Sequence, residues 1–160
     1  MPEIATHLWF AQEARQAVEF YVSIIPDSAI IRQTTLPAET PSGPPDSVKI
    51  IEFTLGGRDF TALEATPLAQ FNHSFSIQVE CDSQKEIDRI WDGFIENGGT
   101  AEACGWLKDR WGLSWQIVPR VLGDMIADPD RDRARRATEA MLGMVKLDIA
   151  VIQDAFHGKG

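Results

Sequence analysis

Alternating apolar and polar positions predict that the chain begins with a strand followed by a helix. In residues 3–10, "EIATHLWF", the two strand faces would be Ile4, Thr6, Leu8 and Phe10 against Ala5, His7 and Trp9. From Gln12 to Ile25 the apolar residues recur at spacings of three and four, and Pro26 ends this helical pattern. A β-branched strand is predicted at 28–36. The loop after it, 37–47, contains four of the nine prolines.

Residues 47–65, "SVKIIEFTLGGRDFTALEA", give the clearest local prediction, a hairpin turning at Gly56 and Gly57. A two-residue turn would pair residues directly across the two strands on one face of the sheet. The predicted pairs are Phe53 with Phe60, Ile51 with Ala62, and Lys49 with Glu64. Residues 4–65 therefore contain a strand, a helix and three further strands.

The same order of elements recurs after a linker at 66–72. A strand is predicted at 73–81 and a helix at 83–99, and residues 100–119 leave room for short strands. In the strand predicted at 73–81, Phe75, Ile77 and Val79 alternate with Ser74, Ser76 and Gln78. We therefore predict a single domain over 1–160 with two βαβββ modules, at 4–65 and 73–119.

The C-terminal segment, 120–157, is predicted to be a helical extension. Asp128 before Pro129 and, further on, Asp148 are the predicted helix caps. The predicted apolar stripe consists of Ala134, Ala137, Met141, Val145, Ile149, Ile152 and Phe156. Arginines at 131, 133, 135 and 136 alternate with acidic residues, which predicts a salt-bridged surface rather than an anion site.

Charge and composition narrow the class of protein. The net charge of −9 disfavours nucleic acid as a partner. No apolar run is long enough for a membrane span and no export signal is visible, so we expect a soluble cytoplasmic protein without a membrane partner. Cys81 and Cys104 have no metal-type spacing and are predicted to be reduced thiols.

Polar residues at equivalent places in the two halves are candidates for chemistry. His7 lies on the first strand and Glu64 ends the last strand of the first half. Ser74, or neighbouring His73, and Gln116 occupy the matching places in the second half. Glu64 could instead form a cross-strand ion pair with Lys49, and His7 could be a hydrogen-bonded wall residue beside Trp9.

The chain resembles the vicinal-oxygen-chelate superfamily of glyoxalase I, bleomycin-resistance proteins and extradiol dioxygenases, and most closely its PhnB-like branch. That branch also carries the name of a 3-demethylubiquinone 3-methyltransferase family. The resemblance rests on "LWF" at 8–10, "AVEFYVSIIPDSAI" at 17–30, "CGWLKDRWGLSWQIVP" at 104–119 and "AMLGMVKLDIA" at 140–150. It implies an α+β fold in which two βαβββ modules form a concave, barrel-like mixed sheet, commonly in a homodimer.

The resemblance also implies where a metal would bind, at His7, Glu64, Ser74 or His73, and Gln116. His7 and Glu64 match a ligand type, whereas Ser74 is a poor ligand and Gln116 is neutral. The ion would be a divalent metal such as Ni²⁺, Zn²⁺, Mn²⁺ or Fe²⁺. With such an ion the protein would be an isomerase, lyase or dioxygenase, and Glu64 would move a proton.

We favour a small-molecule pocket inside the sheet without assigned catalysis. Its predicted walls are Trp9, Phe60, Ser74, Ser76, Gln78 and Gln116. A third hypothesis is a resistance-type protein that sequesters a drug in an acidic groove. Trp106, Trp111 and especially Trp115 are predicted to be core or dimer residues. Methyltransferase activity is not supported, because "FAQEA" rather than a glycine-rich turn follows the first strand.

Overall fold

The computed structural model describes residues 1–66 and 69–159, which belong to two compact units, 1–70 and 71–160. The predicted linker includes residues 67 and 68, which lie outside the described residues. Each unit contains a four-stranded mixed sheet with its own helix, and the unit at 71–160 also contains the C-terminal helices. The predicted α+β fold with a twice-repeated order of strand, helix and three strands is confirmed.

The first unit has the strand order β1-β4-β3-β2, with β1 parallel to β4 and the other neighbours antiparallel. Its elements are β1 (Thr6–Phe10), α1 (Ala14–Ile24), β2 (Ala29–Thr35), β3 (Lys49–Leu55) and β4 (Arg58–Glu64). The strand predicted from residue 3 thus starts at Thr6. Ile4 lies outside it and is 90% exposed.

The β3–β4 hairpin has the predicted register. Gly56 and Gly57 form the two-residue turn with φ values of 55° and 76°, a conformation that side chains other than glycine adopt at a steric cost. Phe53 pairs with Phe60, Ile51 with Ala62, and Lys49 with Glu64. Because all three predicted pairs are present, the faces of both strands follow directly from the sequence.

The core of the first unit lies between α1 and one face of this sheet. Its buried residues include Leu8, Phe10, Ala17, Val18, Tyr21, Ile51, Phe53 and Ala62. Phe60 belongs to the same layer: it is 7% exposed, and its ring stacks on that of Phe53 at a centroid distance of 5.4 Å. Phe60 and Trp9, both predicted to line a small-molecule pocket, leave opposite faces of the sheet.

The second unit repeats the arrangement with shorter strands. Its elements are β5 (Ser76–Cys81), α2 (Gln84–Glu96), β6 (Thr100–Ala101), β7 (Trp106–Lys108) and β8 (Ser114–Pro119). The strand order is β5-β8-β7-β6, with β5 parallel to β8. Ser83 caps α2 by accepting a hydrogen bond from the Glu86 N–H. The start of the predicted strand at residue 73 is corrected to Ser76, and Phe75 before it is 44% exposed.

Trp115 occupies the core of the second unit, as predicted. It is fully buried and its ring lies 4.7 Å from that of Phe94 in α2. Its indole N–H donates to Asp109 at 3.0 Å, and the same carboxylate accepts from the backbone N–H groups of Trp111 and Leu113. Asp109 is thus a buried carboxylate that holds the β7–β8 turn against the core.

Three helices follow β8: α3 (Arg120–Ile126), α4 (Arg131–Leu142) and α5 (Ile149–Phe156). Asp148 caps α5 as predicted. The cap of α4 is Asp130 rather than Asp128, because the Asp130 side chain accepts from the N–H groups of residues 132 and 133. Of the predicted stripe, Ala134, Ala137, Ile152 and Phe156 are buried, whereas Val145 is 52% exposed.

Arginines of α4 form hydrogen bonds and ion pairs with other residues of the C-terminal helices. Arg136 donates to the carbonyl groups of Ala155 and Phe156 at 3.0 Å each, at the C-terminal end of α5. Arg135 pairs with Asp132 at 3.3 Å, as expected for a salt-bridged surface. Among the residues that the structure describes, no helix combines the length and hydropathy that crossing a membrane would require.

Candidate functional site

Each sheet packs one face against its own helix, and we call the opposite side its far face. In the first sheet Leu8, Phe10 and Ala62 are buried on the helix side, so His7 and Trp9 of β1 belong to the far face. In the second sheet Trp115 and Ile117 are buried on the helix side, so Gln116 belongs to the far face. The predicted orientation of Gln116 is therefore confirmed.

Glu64 is on the helix side of the first sheet. Its register partner in β1 is Phe10, a core residue, and its carboxylate reaches the start of α1. One oxygen accepts the Ala14 N–H at 2.9 Å, and the other lies 3.0 Å from Nζ of Lys49. The ion pair with Lys49 that the sequence left open is confirmed. Glu64 also supplies the acceptor that α1 lacks, because the residue before this helix gives it no side-chain cap.

The charge of Glu64 follows from these contacts. Burial on its own would raise the pKa of the carboxyl group. The hydrogen bonds from Lys49 and from the backbone N–H groups of Ala14 and Glu13, with the positive charge of Lys49, outweigh that effect, and the net result is a lowered pKa. Glu64 is thus an ionised, fully engaged carboxylate.

The structure does not bring His7 and Glu64 together. His7 is exposed on the far face, while Glu64 lies on the helix side among buried residues. Over residues 1–66 and 69–159 no three His, Cys, Asp or Glu side chains converge in a way that could hold a metal ion. The donor set inferred from the resemblance therefore does not fit a divalent metal, because its carboxylate, Glu64, faces away from the His7 imidazole of the same sheet.

The far face of the second sheet carries a group of polar side chains. Gln116 donates to Oγ of Ser76 at 2.9 Å, across the parallel pair β5 and β8. Gln78, the register partner of Gln116, donates to Glu80 at 3.3 Å. Three predicted wall residues, Ser76, Gln78 and Gln116, thus lie on one surface.

Ser74 is not in this group, since it is exposed and precedes β5. Its backbone N–H donates to the Asn72 side chain at 2.8 Å, which forms a turn. The neighbouring His73 lies with Nε2 3.1 Å from both carboxylate oxygens of Glu102, and its ring centroid is 6.2 Å from that of Trp106. No local pattern signals the contact with Glu102, because the two residues are 29 positions apart along the chain.

The far face of each sheet contains a buried polar atom that lacks a hydrogen-bond partner. Among the described side chains these atoms are Nε1 of Trp9 and Oγ of Ser114. Trp9 belongs to the far face of the first sheet, and Ser114, which is fully buried, to the far face of the second. Trp9 was a predicted wall residue. Ser114 was not, although it shares strand parity with Gln116.

The first unit also contains a cleft of about 250 Å³. Three acidic residues, Glu3, Glu52 and Asp59, line it together with Ile4 and Ile31. Glu52 forms an ion pair with Arg32 of β2. The lining of the cleft therefore combines acidic and apolar side chains.

Residues 2–118 match the family model described as 3-demethylubiquinone-9 3-methyltransferase. The chain belongs to this family. The match spans both βαβββ modules and ends before α3, so the three C-terminal helices lie outside it. No match was found among curated proteins.

Solved structures agree with this placement. A Bacillus cereus protein described as a 3-demethylubiquinone-9 3-methyltransferase, PhnB protein, is similar with a TM-score of 0.63 and 25% identity, over 73% of this chain and 99% of that one. The fosfomycin resistance protein FosX from Mesorhizobium loti gives 0.56 and 13%, over 79% and 98%. Glyoxalase I from Leishmania major gives 0.53 and 10%, over 86% and 99%. This family member thus has the fold of the glyoxalase and fosfomycin-resistance superfamily, as the sequence predicted.

Proposed function

We propose that this family member is a small-molecule-binding protein that holds a ligand against the far face of a sheet within one unit. The observation that supports this most directly is the position of the two unpartnered buried atoms, Trp9 Nε1 and Ser114 Oγ. Buried polar atoms nearly always have a hydrogen-bond partner, and a missing one is commonly supplied by water or by a ligand. One such atom lies on the far face of each sheet.

The neighbouring side chains suit recognition by hydrogen bonds. Gln116 and Gln78 each carry an amide with both donor and acceptor atoms, and Ser76 adds a hydroxyl. Gln116 is half-buried and held by Ser76, so its amide is positioned before any ligand binds. Trp106, the register partner of Gln116 in β7, adds an aromatic surface. These groups support binding, and no catalytic step is assigned to them.

The test is a ligand screen read out at the level of residues. A library of small neutral and charged compounds is screened by thermal shift, and each compound that raises the melting temperature is mapped by amide chemical shifts. For a ligand of the second unit we expect the shifts to concentrate on β5, β7 and β8 and the Gln116→Leu variant to weaken binding about fivefold or more. A library that gives no stabilising compound, or compounds that map only to the helices, would contradict the proposal.

A matched variant controls for the change itself. Gln153 is exposed on α5 and forms no hydrogen bond through its side chain among the described residues. Gln153→Leu makes the same chemical change away from the sheet and should leave the affinity unchanged. Equal losses in the two variants would show that the effect is not specific to the far face.

The metal-dependent alternative receives no support from the donor set. His7 and Glu64 leave opposite faces of one sheet, and the Glu64 carboxylate is already engaged by Lys49 and the start of α1. Thermal shifts with Ni²⁺, Zn²⁺, Mn²⁺ and Fe²⁺ test this directly. If one of these ions raises the melting temperature and His7→Ala abolishes the increase, the result would support the metal-dependent alternative.

The methyl transfer that the family's description names is likewise not proposed for this chain. A nucleoside-bearing methyl donor normally binds at a glycine-rich turn in a parallel sheet. In both units the described sheet is mixed, and residues 11–13 after β1 are Ala, Gln and Glu. We therefore base the proposal on the far-face side chains and not on the name.

One observation favours a second candidate function, the sequestering of a cationic planar compound. The cleft in the first unit has acidic side chains from Glu3, Glu52 and Asp59 and apolar ones from Ile4 and Ile31. Fluorescence titration with a cationic planar dye tests it. Asp59→Asn should weaken binding, whereas the exposed helix residue Glu96→Gln, outside the cleft, should not.

We also propose that the protein is a homodimer. Ile4 and Ile31 are 90% and 66% exposed and lie beside the same cleft, and large exposed apolar side chains that cluster commonly mark an interface. Light scattering during gel filtration should give twice the chain mass of 17.8 kDa. A mass of one chain at micromolar concentration would contradict the dimer.

A further inference from the structure

The register of the second sheet places four hydrogen-bonding side chains in a line across its strands. Ser76 of β5 pairs with Ser114 of β8, Ser114 pairs with Lys108 of β7, and Lys108 pairs with Thr100 of β6. Residues paired in this way point to the same side of the sheet, and neighbouring strands lie about 4.8 Å apart. We call these four residues the hydroxyl–lysine row. It lies on the far face, one step along the strands from Gln116.

Lys108 brings positive charge into this row. It is half-buried, and no carboxylate among the described residues forms an ion pair with it. The carboxylates on or beside the same strands are engaged elsewhere. Glu80 pairs with Arg120 at 3.1 Å, and Glu102 lies 3.1 Å from His73.

Ser114 supplies the second, independent observation. Its hydroxyl is fully buried, points to the side of the sheet that Lys108 shares, and has no hydrogen-bond partner among the described residues. Ser76 beside it accepts a hydrogen bond from Gln116, so its own hydroxyl hydrogen stays available to donate. The row thus offers an ammonium group and hydroxyl donors side by side.

We propose that the hydroxyl–lysine row is an oxyanion subsite that holds a carboxylate, phosphate or phosphonate group of the ligand. Lys108 supplies the charge, and Ser114 and Ser76 supply hydrogen bonds to the anionic oxygens. The proposal rests on the small-molecule-binding function and specifies its ligand class as a small anion. It requires no metal ion, since a protein cation neutralises the oxyanion.

The row also explains how a protein of net charge −9 could bind an anion. The overall field of the chain repels anions, so binding requires a local cation that nearby carboxylates do not neutralise. Screening by salt limits the distant charges to about 8–10 Å, whereas a half-buried lysine acts at contact distance. Lys108 meets this requirement because no carboxylate among the described residues forms an ion pair with it.

The experiment uses three simple anions and a neutral analogue as probes. Acetate, inorganic phosphate and methylphosphonate are titrated into the ¹⁵N-labelled full chain and followed by amide chemical shifts, and acetamide serves as the uncharged match for acetate. Probes this small should bind with dissociation constants of about 1–10 mM. Saturable shifts at residues 76, 108, 114 and 116, absent with acetamide, are the expected result. The tighter of acetate and phosphate shows which oxyanion the row prefers.

Four variants separate charge, hydroxyl and fold. Lys108→Met should weaken the best probe by about tenfold or more, and Ser114→Ala by about fivefold. Lys108→Arg keeps the charge and should retain binding. Lys85→Met removes an exposed lysine of α2 and should leave affinity within about twofold of the wild type. A melting temperature is measured for each variant to identify any that fail to fold. If Lys108→Met fails to fold, Lys108→Arg is compared with the wild type instead.

The anion titrations and the screen of neutral compounds can fail separately, so they test the oxyanion subsite and small-molecule binding independently. Neutral library compounds that bind at Gln116, with none of the three anions giving saturable shifts, would overturn the oxyanion subsite and leave small-molecule binding in place. Unchanged anion binding in Lys108→Met would overturn the subsite as well. No binding by either neutral or anionic compounds would overturn both.

Discussion

Replacing Glu64 tests the conclusion that this carboxylate stabilises the fold. Glu64→Ala removes the acceptor for the Ala14 N–H and the partner of Lys49, and Glu64→Gln removes the charge while keeping a side-chain oxygen. We expect both variants to unfold at lower urea concentration than the wild type at pH 7. The alanine variant should lose more stability than the glutamine variant.

The expected loss follows from the contacts of the carboxylate. A hydrogen bond to a charged group contributes about 1.5–3 kcal/mol, and a negative charge at a helix start about 0.3–1 kcal/mol. The ion pair adds about 0.2–1 kcal/mol at most, because the Lys49 side chain is 46% exposed and solvent screens it. These terms share one group and do not add fully, so we expect about 2–3 kcal/mol for Glu64→Ala and about 1 kcal/mol for Glu64→Gln.

The stabilisation that Glu64 contributes should depend on pH. The pKa of Glu64 is lowered in the folded protein, so the stabilisation is fully present above the unfolded pKa, about 4.3, and is lost as the pH falls through the folded pKa. The difference in unfolding free energy between wild type and Glu64→Gln should therefore shrink as the pH drops below about 4.

The matched control is Glu52→Gln on the neighbouring strand. Glu52 is paired with Arg32, but its side chain is 39% exposed, so the loss should stay below about 0.5 kcal/mol. The reasoning is refuted if Glu64→Gln is as stable as the wild type at pH 7. A difference that persists unchanged at low pH would also refute it, because a neutral carboxyl group cannot form the ion pair.

Three further predictions concern the second unit. Asp109→Ala should cost about 3–4 kcal/mol in urea unfolding, because a carboxylate only 5% exposed accepts three hydrogen bonds, one of them from Trp115; a loss below about 1 kcal/mol would contradict this. Burial and the nearby Glu86 carboxylate raise the pKa of Cys81 to about 12, so a thiol reagent at pH 8 should label half-buried Cys104 first and Cys81 only on unfolding; equal labelling rates would contradict the burial. Gly99→Ala should cost about 2 kcal/mol or more, because the added methyl group would lie 2.6 Å from a backbone oxygen of α2, whereas the methyl group of Gly123→Ala in α3 would have no atom of the described residues within 4 Å and should not destabilise.

The order of elements and the faces of the strands could be read from the sequence, because both depend on local periodicity. Two glycines fix the β3–β4 turn, and the turn fixes the pairing of Lys49 with Glu64. The same periodicity placed Trp115 in the core and Gln116 on the opposite face. Predictions of this type hold because strand parity cannot shift by one residue without turning the buried face outward.

The grouping of site residues could not be read in the same way. Matching the halves by element order aligned Glu64 with Gln116, although the parity of Glu64 with Phe60 and Ala62 places it on the helix side. Its contact with Ala14 joins residues 50 positions apart, and no local pattern signals such a contact. The hydroxyl–lysine row likewise depends on the pairing of β5 with β8, which are 38 residues apart at Ser76 and Ser114.

The C-terminal segment packs on α2 of the second unit, although it lies beyond the residues that match the family model. The segment before α5 is tied to α2, since Gln84 bonds the Leu147 carbonyl at 3.0 Å and the Ile149 N–H at 2.8 Å, and Lys146 lies 3.2 Å from both Asp88 and Asp92. Leu147 between these contacts is fully buried. The end of the family match at residue 118 is therefore not a boundary of cooperative folding. A truncated chain ending there would lose a packing layer of its second module, and recombinant work on this protein should keep the extension.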